Sequence, residues 1–342
     1  MSTETDRTEE LAAAVAAAYA DGHPLRPVGG DTKRHLGRRV DAEPLSLAGH
    51  AGIVEYEPTE LVITARAGTP LAEVEAALAE RHQMLGFEPP HLGDGATLGG
   101  TIACGLSGPR RPYAGSARDF VLGVRLINGR GQSLRFGGQV IKNVAGYDLS
   151  RLMAGAQGTL GVLLEVSMRV LPRPGCEVTL VQEMPADEAL TAVNRWAGQP
   201  LPISAACHDG KQLRLRLSGT EAGVNAARAT LGGEIDNDGA RWWADLRERR
   251  LPFFAGDDPC WRLAGAPAST QPDLPGRGLL DWGGAQRWLR SDAESAAVRA
   301  AATAAGGHAT RIDNSGDNDS PFQPLPDAVL GVHRRLKAAL DP

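Results

Sequence analysis

Pro89-Pro90-His91-Leu92-Gly93-Asp94-Gly95-Ala96-Thr97-Leu98-Gly99-Gly100-Thr101-Ile102-Ala103-Cys104-Gly105-Leu106-Ser107-Gly108 is the stretch on which the fold turns. Glycine and proline stay dense from residue 86 to residue 115. Segments of that length without regular structure are uncommon in a compact domain unless they carry function. Thr97 is placed to cap a short helix whose first amides would face an anion or a flat polar ring. Gly99 and Gly100 leave no side chain between backbone and ligand. The continuation Pro109-Arg110-Arg111-Pro112-Tyr113-Ala114-Gly115-Ser116-Ala117-Arg118-Asp119 sets arginines beside that surface, the plainer reading being a solvated basic loop.

Two further segments share this chemistry. Upstream, Leu25-Arg26-Pro27-Val28-Gly29-Gly30-Asp31-Thr32-Lys33 reads as a strand ending in two glycines. Successive N–H groups in such a turn make a concave anion site, glycine permits positive φ and close approach, and Lys33 and Arg34 add charge. The pattern is neither a Walker A loop nor the GxGxxG dinucleotide fingerprint. Downstream, Gly155-Ala156-Gln157-Gly158-Thr159-Leu160-Gly161 runs directly into the apolar stretch from Val162, so its backbone can lie along a ligand's edge. Each segment alone could be a tight turn; together in one domain they point to a bound cofactor.

Working outward, the Ala-rich residues 8–20 carry Leu11, Val15 and Tyr19 at a spacing of four and predict a helix. Extended runs follow over residues 53–56 and 61–67. A second helix to about Arg81 is expected to start with Thr69 as N-cap and Pro70 in its first turn. Residues 120–127 and 132–136 read as a strand pair around Asn128-Gly129-Arg130-Gly131, and 147–153 as a short helix. Pro172-Arg173-Pro174-Gly175 marks a domain boundary. Beyond it the order is strand (177–182), helix (186–196), strands (203–207 and 213–217) and helix (221–231), an α+β pattern. A helix over 240–250, strands near 261–263 and 278–282 and a helix over 292–305 could repeat it, and 314–320 reads as a polar surface loop.

The bulk numbers narrow the function. With 342 residues and 42% apolar content the chain can bury a full core. The apolar stretch 11–20 follows Glu4, Asp6, Glu9 and Glu10, without the basic flank of a signal peptide or the length of a membrane span, so a cytoplasmic protein is expected. A net charge of −5, spread along the chain, offers no stripe for nucleic acid. Cys104, Cys176, Cys207 and Cys260 lack the spacing that holds zinc or an iron–sulfur cluster and are expected to be reduced, mostly buried thiols.

The order Arg26-Pro27-Val28-Gly29-Gly30, then Thr97-Leu98-Gly99-Gly100 with Gly108, Arg118-Asp119-Phe120-Val121-Leu122-Gly123, Gly146-Tyr147-Asp148-Leu149 and Gly158-Thr159-Leu160-Gly161 resembles the FAD-binding domain of the vanillyl-alcohol oxidase and p-cresol methylhydroxylase (PCMH) superfamily. Within it, Gly105-Leu106-Ser107-Gly108-Pro109-Arg110-Arg111-Pro112-Tyr113, Lys142-Asn143-Val144-Ala145-Gly146-Tyr147-Asp148, Gly306-Gly307-His308-Ala309-Thr310 and His333-Arg334-Arg335-Leu336-Lys337 resemble the E-subunit family of glycolate oxidase.

The resemblance implies an α+β architecture: a PCMH-type FAD-binding domain over residues 1–174 and a smaller α+β, ferredoxin-like cap over 175–342. It implies FAD as cofactor. The pyrophosphate would lie on Gly29, Gly30, Thr32 and Lys33; Thr97, Gly99, Gly100 and Gly108 would line the rest of the flavin; Asp119 with the backbone of Gly158, Thr159, Gly161 and Val162 would finish the adenosine end. Arg26, Pro27, Val28, Pro89, Leu98, Ala103 and Arg118 complete the expected cofactor-binding residues. Arg110 and Arg111 are the candidates for binding a substrate carboxylate. The implied activity is oxidation of glycolate to glyoxylate, with a catalytic flavin subunit and an iron–sulfur subunit as partners, and any contact with the inner membrane made through them. The HxGDGNxH metal motif of catalytic relatives is not found, His208-Asp209-Gly210 and Gly307-His308 being lone histidines, so no metal is expected and no catalytic residue is assigned. A free-standing flavin enzyme for another hydroxy acid or alcohol, and a structural subunit, stay open as alternatives.

Overall fold

The computed structural model describes residues 5–138, 148–269, 273–313 and 320–342. The motif from Lys142 to Tyr147 and most of the polar stretch 314–320 lie outside the described residues.

Helix Thr8–Asp21 buries Thr8, Leu11 and Val15. Tyr19 is half exposed, because a spacing of four drifts around a helix of 3.6 residues per turn and carries the third member out of the face. Leu11 and Val15 pack on Leu45, Leu47, Ile127, Val162 and Leu164. Strand Leu25–Val28 pairs in parallel with Glu43–Ser46, a short strand the sequence pattern does not announce.

The first large sheet is antiparallel, in the order Ile53–Glu57, Val62–Arg66, Val162–Arg169, Val121–Ile127, Ser133–Gly137. Its central strands are covered on both faces, Val62–Arg66 being buried throughout and Val162–Arg169 at all but two positions. Helices Leu71–Ala79 and Leu98–Cys104 close one face over Ile63, Val74, Phe87, Ile102 and Val166. Helix Leu71–Ala79 starts one residue later than the sequence suggests: Pro70 is the N-cap, and Thr69 turns away to exchange hydrogen bonds with the backbone of Gly52 at 2.9 and 3.1 Å.

The second sheet has eight strands. Cys176–Glu183, Ile203–His208, Gln212–Gly219 and Glu234–Ile235 alternate with helices Ala186–Ala197 and Glu221–Leu231 in the order strand, helix, strand, strand, helix, strand. Their arrangement across the sheet is fourth, first, third, second, the ferredoxin-like split βαβ. The sheet continues through Arg277–Asp281, Gln286–Arg290, Cys260–Ala264 and His308–Arg311. The strands Gln286–Arg290 and His308–Arg311 and the final helix Asp327–Leu340 escape a reading by local pattern. All four cysteines are free; Cys207 and Cys260 are buried, Cys104 and Cys176 half-buried.

Candidate functional site

Strand Leu25–Val28 delivers the chain to one wall of a cleft of about 1010 Å³. Arg26, Pro27, Val28, Gly29, Gly30, Thr32 and Lys33 form that wall; Thr97, Gly99, Gly100 and Ala103 form the second; Gly158, Thr159 and Gly161 form the third. Three segments remote in sequence thus meet around one space large enough for a dinucleotide-sized ligand.

The first wall offers free donors. Among the described residues the N–H groups of Gly29, Gly30, Asp31 and Thr32 have no hydrogen-bond acceptor. The left-handed residue here is Asp31, with φ of 55°, rather than either glycine. Glycine is needed at position 30 for another reason: a Cβ there would fall on the carbonyl of Gly95 in the second wall. Arg26 is held at the rim by Asp31 at 3.1 Å. Lys33 does not reach outward. It is buried, with Nζ donating to the carbonyl of His91 at 2.9 Å and to Thr32 Oγ1 at 3.3 Å, and burial holds its ammonium below the usual lysine pKa. Lysine at this position therefore clamps the first segment to the second.

In the second wall Thr97 caps helix Leu98–Cys104 as its position implies, Oγ1 accepting from the N–H of Gly100 at 3.3 Å. The two helix glycines have different roles. A Cβ on Gly99 would lie 2.5 Å from the Cβ of Ala67, so Gly99 lets the helix approach the sheet. A Cβ on Gly100 meets only Thr97 Oγ1, at 3.2 Å, so a side chain there would stand in the cleft. These features fit FAD: open amides for a pyrophosphate and a backbone surface that a single Cβ would obstruct.

The remaining expected residues lie elsewhere. Leu98 is fully buried in the core of the first sheet, and Val162 in that of the first helix. Pro89 is buried outside the cleft lining. Arg118 and Asp119 are exposed, Asp119 accepting from the N–H and Oγ of Ser116 in a capping box. Gly108 turns its carbonyl to Trp282 Nε1 at 3.0 Å. Arg110 is buried and already paired, with Glu88 at 3.2 Å and Glu177 at 2.7 Å, and Arg111 lies 4.4 Å from the ring centre of Trp282. Spacing placed these side chains near the glycine segments; helix rotation and the approach of the second sheet decided what they touch.

Other residues line the cleft without a local signal. His35, Arg38 and Gln157 do so, and Phe322 packs 3.5 Å from where a Cβ of Gly37 would stand, brought there only by the return of the C-terminal segment.

The fold and this cleft define an FAD-dependent oxidoreductase of PCMH type. Residues 4–137 match the family described as FAD binding domain. The chain is 51% identical over 342 residues to the glycolate oxidase subunit GlcE of Escherichia coli (strain K12), covering all of this chain and 96% of that protein. It belongs to the family of that subunit. A D-lactate dehydrogenase of Anaerostipes hadrus is 31% identical over 182 residues, 52% of this chain but only 38% of that enzyme. The fold is shared with an alkyldihydroxyacetonephosphate synthase at a TM-score of 0.67 and 16% identity, over 98% of this chain and 74% of that one. Among the described residues no helix is long and apolar enough to cross a membrane.

Proposed function

We propose that this chain carries FAD in a glycolate oxidase complex that converts glycolate to glyoxylate, working beside a catalytic flavin subunit and passing electrons to an iron–sulfur subunit. The observation that carries the reading is the cleft in which three glycine-bearing segments converge with open backbone amides, together with whole-length similarity to a glycolate oxidase subunit. Residues 1–174 serve as the flavin domain and 175–342 as the cap.

FAD supplies the two-electron oxidation of an alcohol carbon. The chain supplies the setting. The amides of Gly29, Gly30 and Thr32 and the guanidinium of Arg26 hold the pyrophosphate; Gly100 and Ala103 leave the flavin its room; Gly158, Thr159 and Gly161 line the far end. Lys33 keeps the first two walls in register from behind.

The test compares the isolated chain with the assembled complex. Purified alone, the chain should contain FAD by its visible spectrum, yet reduce an artificial acceptor with glycolate only after its partner subunits are added. Turnover by the single chain at the rate of the complex would overturn the division of labour, and a colourless, FAD-free chain would overturn the cofactor reading.

A further inference from the structure

A second, much smaller cleft of about 30 Å³ lies where the glycine-rich segment meets the second sheet. Arg249, Arg262, Asp281, Trp282, Gln286 and Trp288 line it. Arg249 sits just past helix Gly239–Arg247 at φ of 56°, a left-handed conformation that is uncommon and costly for an arginine. Among the described residues its guanidinium donates no hydrogen bond and pairs with no carboxylate; it lies 5.3 Å from the ring centre of Trp288. Arg262 is only partly engaged, Nε donating to Gln286 Oε1 at 2.5 Å and the guanidinium lying 5.3 Å from the ring centre of Trp282. Arg111 stacks on that same ring.

The nearby acids offset this charge only in part, Glu248 acting on Arg249 and Asp281 on Arg262. Glu248 is committed to the amides of His91 and Leu92, at 3.0 and 2.8 Å, and to Arg247 at 2.8 Å. Asp281 is fully buried and accepts from Trp282 N–H at 2.8 Å and Gln286 Nε2 at 2.9 Å. Burial pushes its carboxyl up to about 7, so a good part of it is uncharged at neutral pH. Arg249 and Arg262 stay protonated, burial bringing each down only to about 10. Two cations, with a third beside them, therefore face a confined space with at most one titrating carboxylate, an arrangement stabilised by an added anion.

We propose that Arg249 and Arg262, backed by Arg111, bind the carboxylate of a small organic acid of two or three carbons, next to the flavin cleft. This deepens the FAD reading and rests on it for the ligand's purpose. A guanidinium meets a carboxylate through two parallel N–H···O bonds, and the cleft has room for that group but not for a long side chain. Arg249 is close enough to Lys33, His35 and Cys104 to act on them electrostatically, and those three line the large cleft, so the bound acid would sit at the boundary of the two spaces. Arg110, the other candidate, is already consumed by Glu88 and Glu177.

The probe is oxalate, which has two carboxylates and no carbon-bound hydrogen to lose to a flavin. Calorimetric titration of the full, FAD-loaded chain should give saturable binding at one site, accompanied by a change in tryptophan fluorescence from Trp282 and Trp288. Arg249→Met and Arg262→Met should each weaken it tenfold or more, with FAD content unchanged. Arg249→Met carries the decision if Arg262→Met fails to fold, since among the described residues the Arg249 guanidinium has no hydrogen bond to lose and only its contact with the Trp288 ring. Equal binding by wild type and Arg249→Met, or a wild-type signal that never saturates and is matched by chloride at equal ionic strength, would overturn the site. A chain that holds FAD but fails this titration sinks only this inference. A chain without FAD sinks the cofactor reading, and the same titration of that chain still decides the carboxylate site.

Discussion

Arg216 Nη2 donates to Glu88 Oε2 at 2.8 Å, joining residues 128 apart in sequence. Glu88 lies in the glycine-rich segment with φ of 48°, and Arg216 on Gln212–Gly219, one of the two inner strands of the ferredoxin-like unit. The carboxylate also accepts from the N–H of Arg110 at 2.9 Å and from its Nε at 3.2 Å. Burial alone would raise its pKa, but the guanidinium groups of Arg216 and Arg110 outweigh that and hold it below the usual glutamate value. This ion cluster fixes the second sheet against the segment that forms the cleft.

Removing that charge should be costly. Glu88→Gln leaves Arg216 and Arg110 buried with only Glu177 between them, and breaking one side of a buried pair costs about 3 to 5 kcal/mol. Urea unfolding should show a loss in that range. A variant as stable as wild type would mean that the cluster is not an energetic tie between the sheets.

The two adjacent glycines of the cofactor helix should separate cleanly. Gly100→Val is expected to abolish FAD binding while leaving the melting temperature of the cofactor-free protein nearly unchanged, because its side chain enters the cleft. Gly99→Ala should instead destabilise the protein by about 1 to 3 kcal/mol through overpacking against Ala67. FAD content by absorbance and thermal melts of both variants check this; normal flavin content in Gly100→Val would remove the second segment from the cofactor site.

FAD should be held without a covalent bond. The positions that follow the paired glycines of the first loop are Asp31 and Thr32, neither of which forms the histidine linkage seen in relatives with attached flavin. After acid precipitation the yellow colour should stay in the supernatant; colour in the pellet would count against this.

Asp281 should impose its own pH dependence. With its carboxyl moved from 3.8 to about 7 in the folded state, the folded chain keeps a proton that the unfolded chain has released between those values. Its contribution to stability is full below about 4 and lost as pH rises toward 7, up to about 4 kcal/mol in all. Asp281→Asn cannot titrate, so its stability relative to wild type should improve by about 2 kcal/mol between pH 5 and pH 7. Parallel stability curves for the two proteins in urea would exclude the effect.

The sequence by itself determined the glycine segments, the Thr97 cap, the strand pair around Asn128 and the strand–helix order that becomes the ferredoxin-like unit. These depend on local physics: backbone freedom at glycine, the hydrogen bond from a helix amide to a capping hydroxyl, and apolar periodicity. Tertiary structure alone decided that Gly99 packs while Gly100 faces the cleft, that Lys33 clamps inward, and that Arg110 is spent on Glu88 and Glu177 while Arg249 lies against the Trp288 ring. The rotation of a seven-residue helix and the docking of a sheet more than sixty residues downstream set those contacts, and a partner brought from that distance leaves no periodic trace in the chain around the residue it binds.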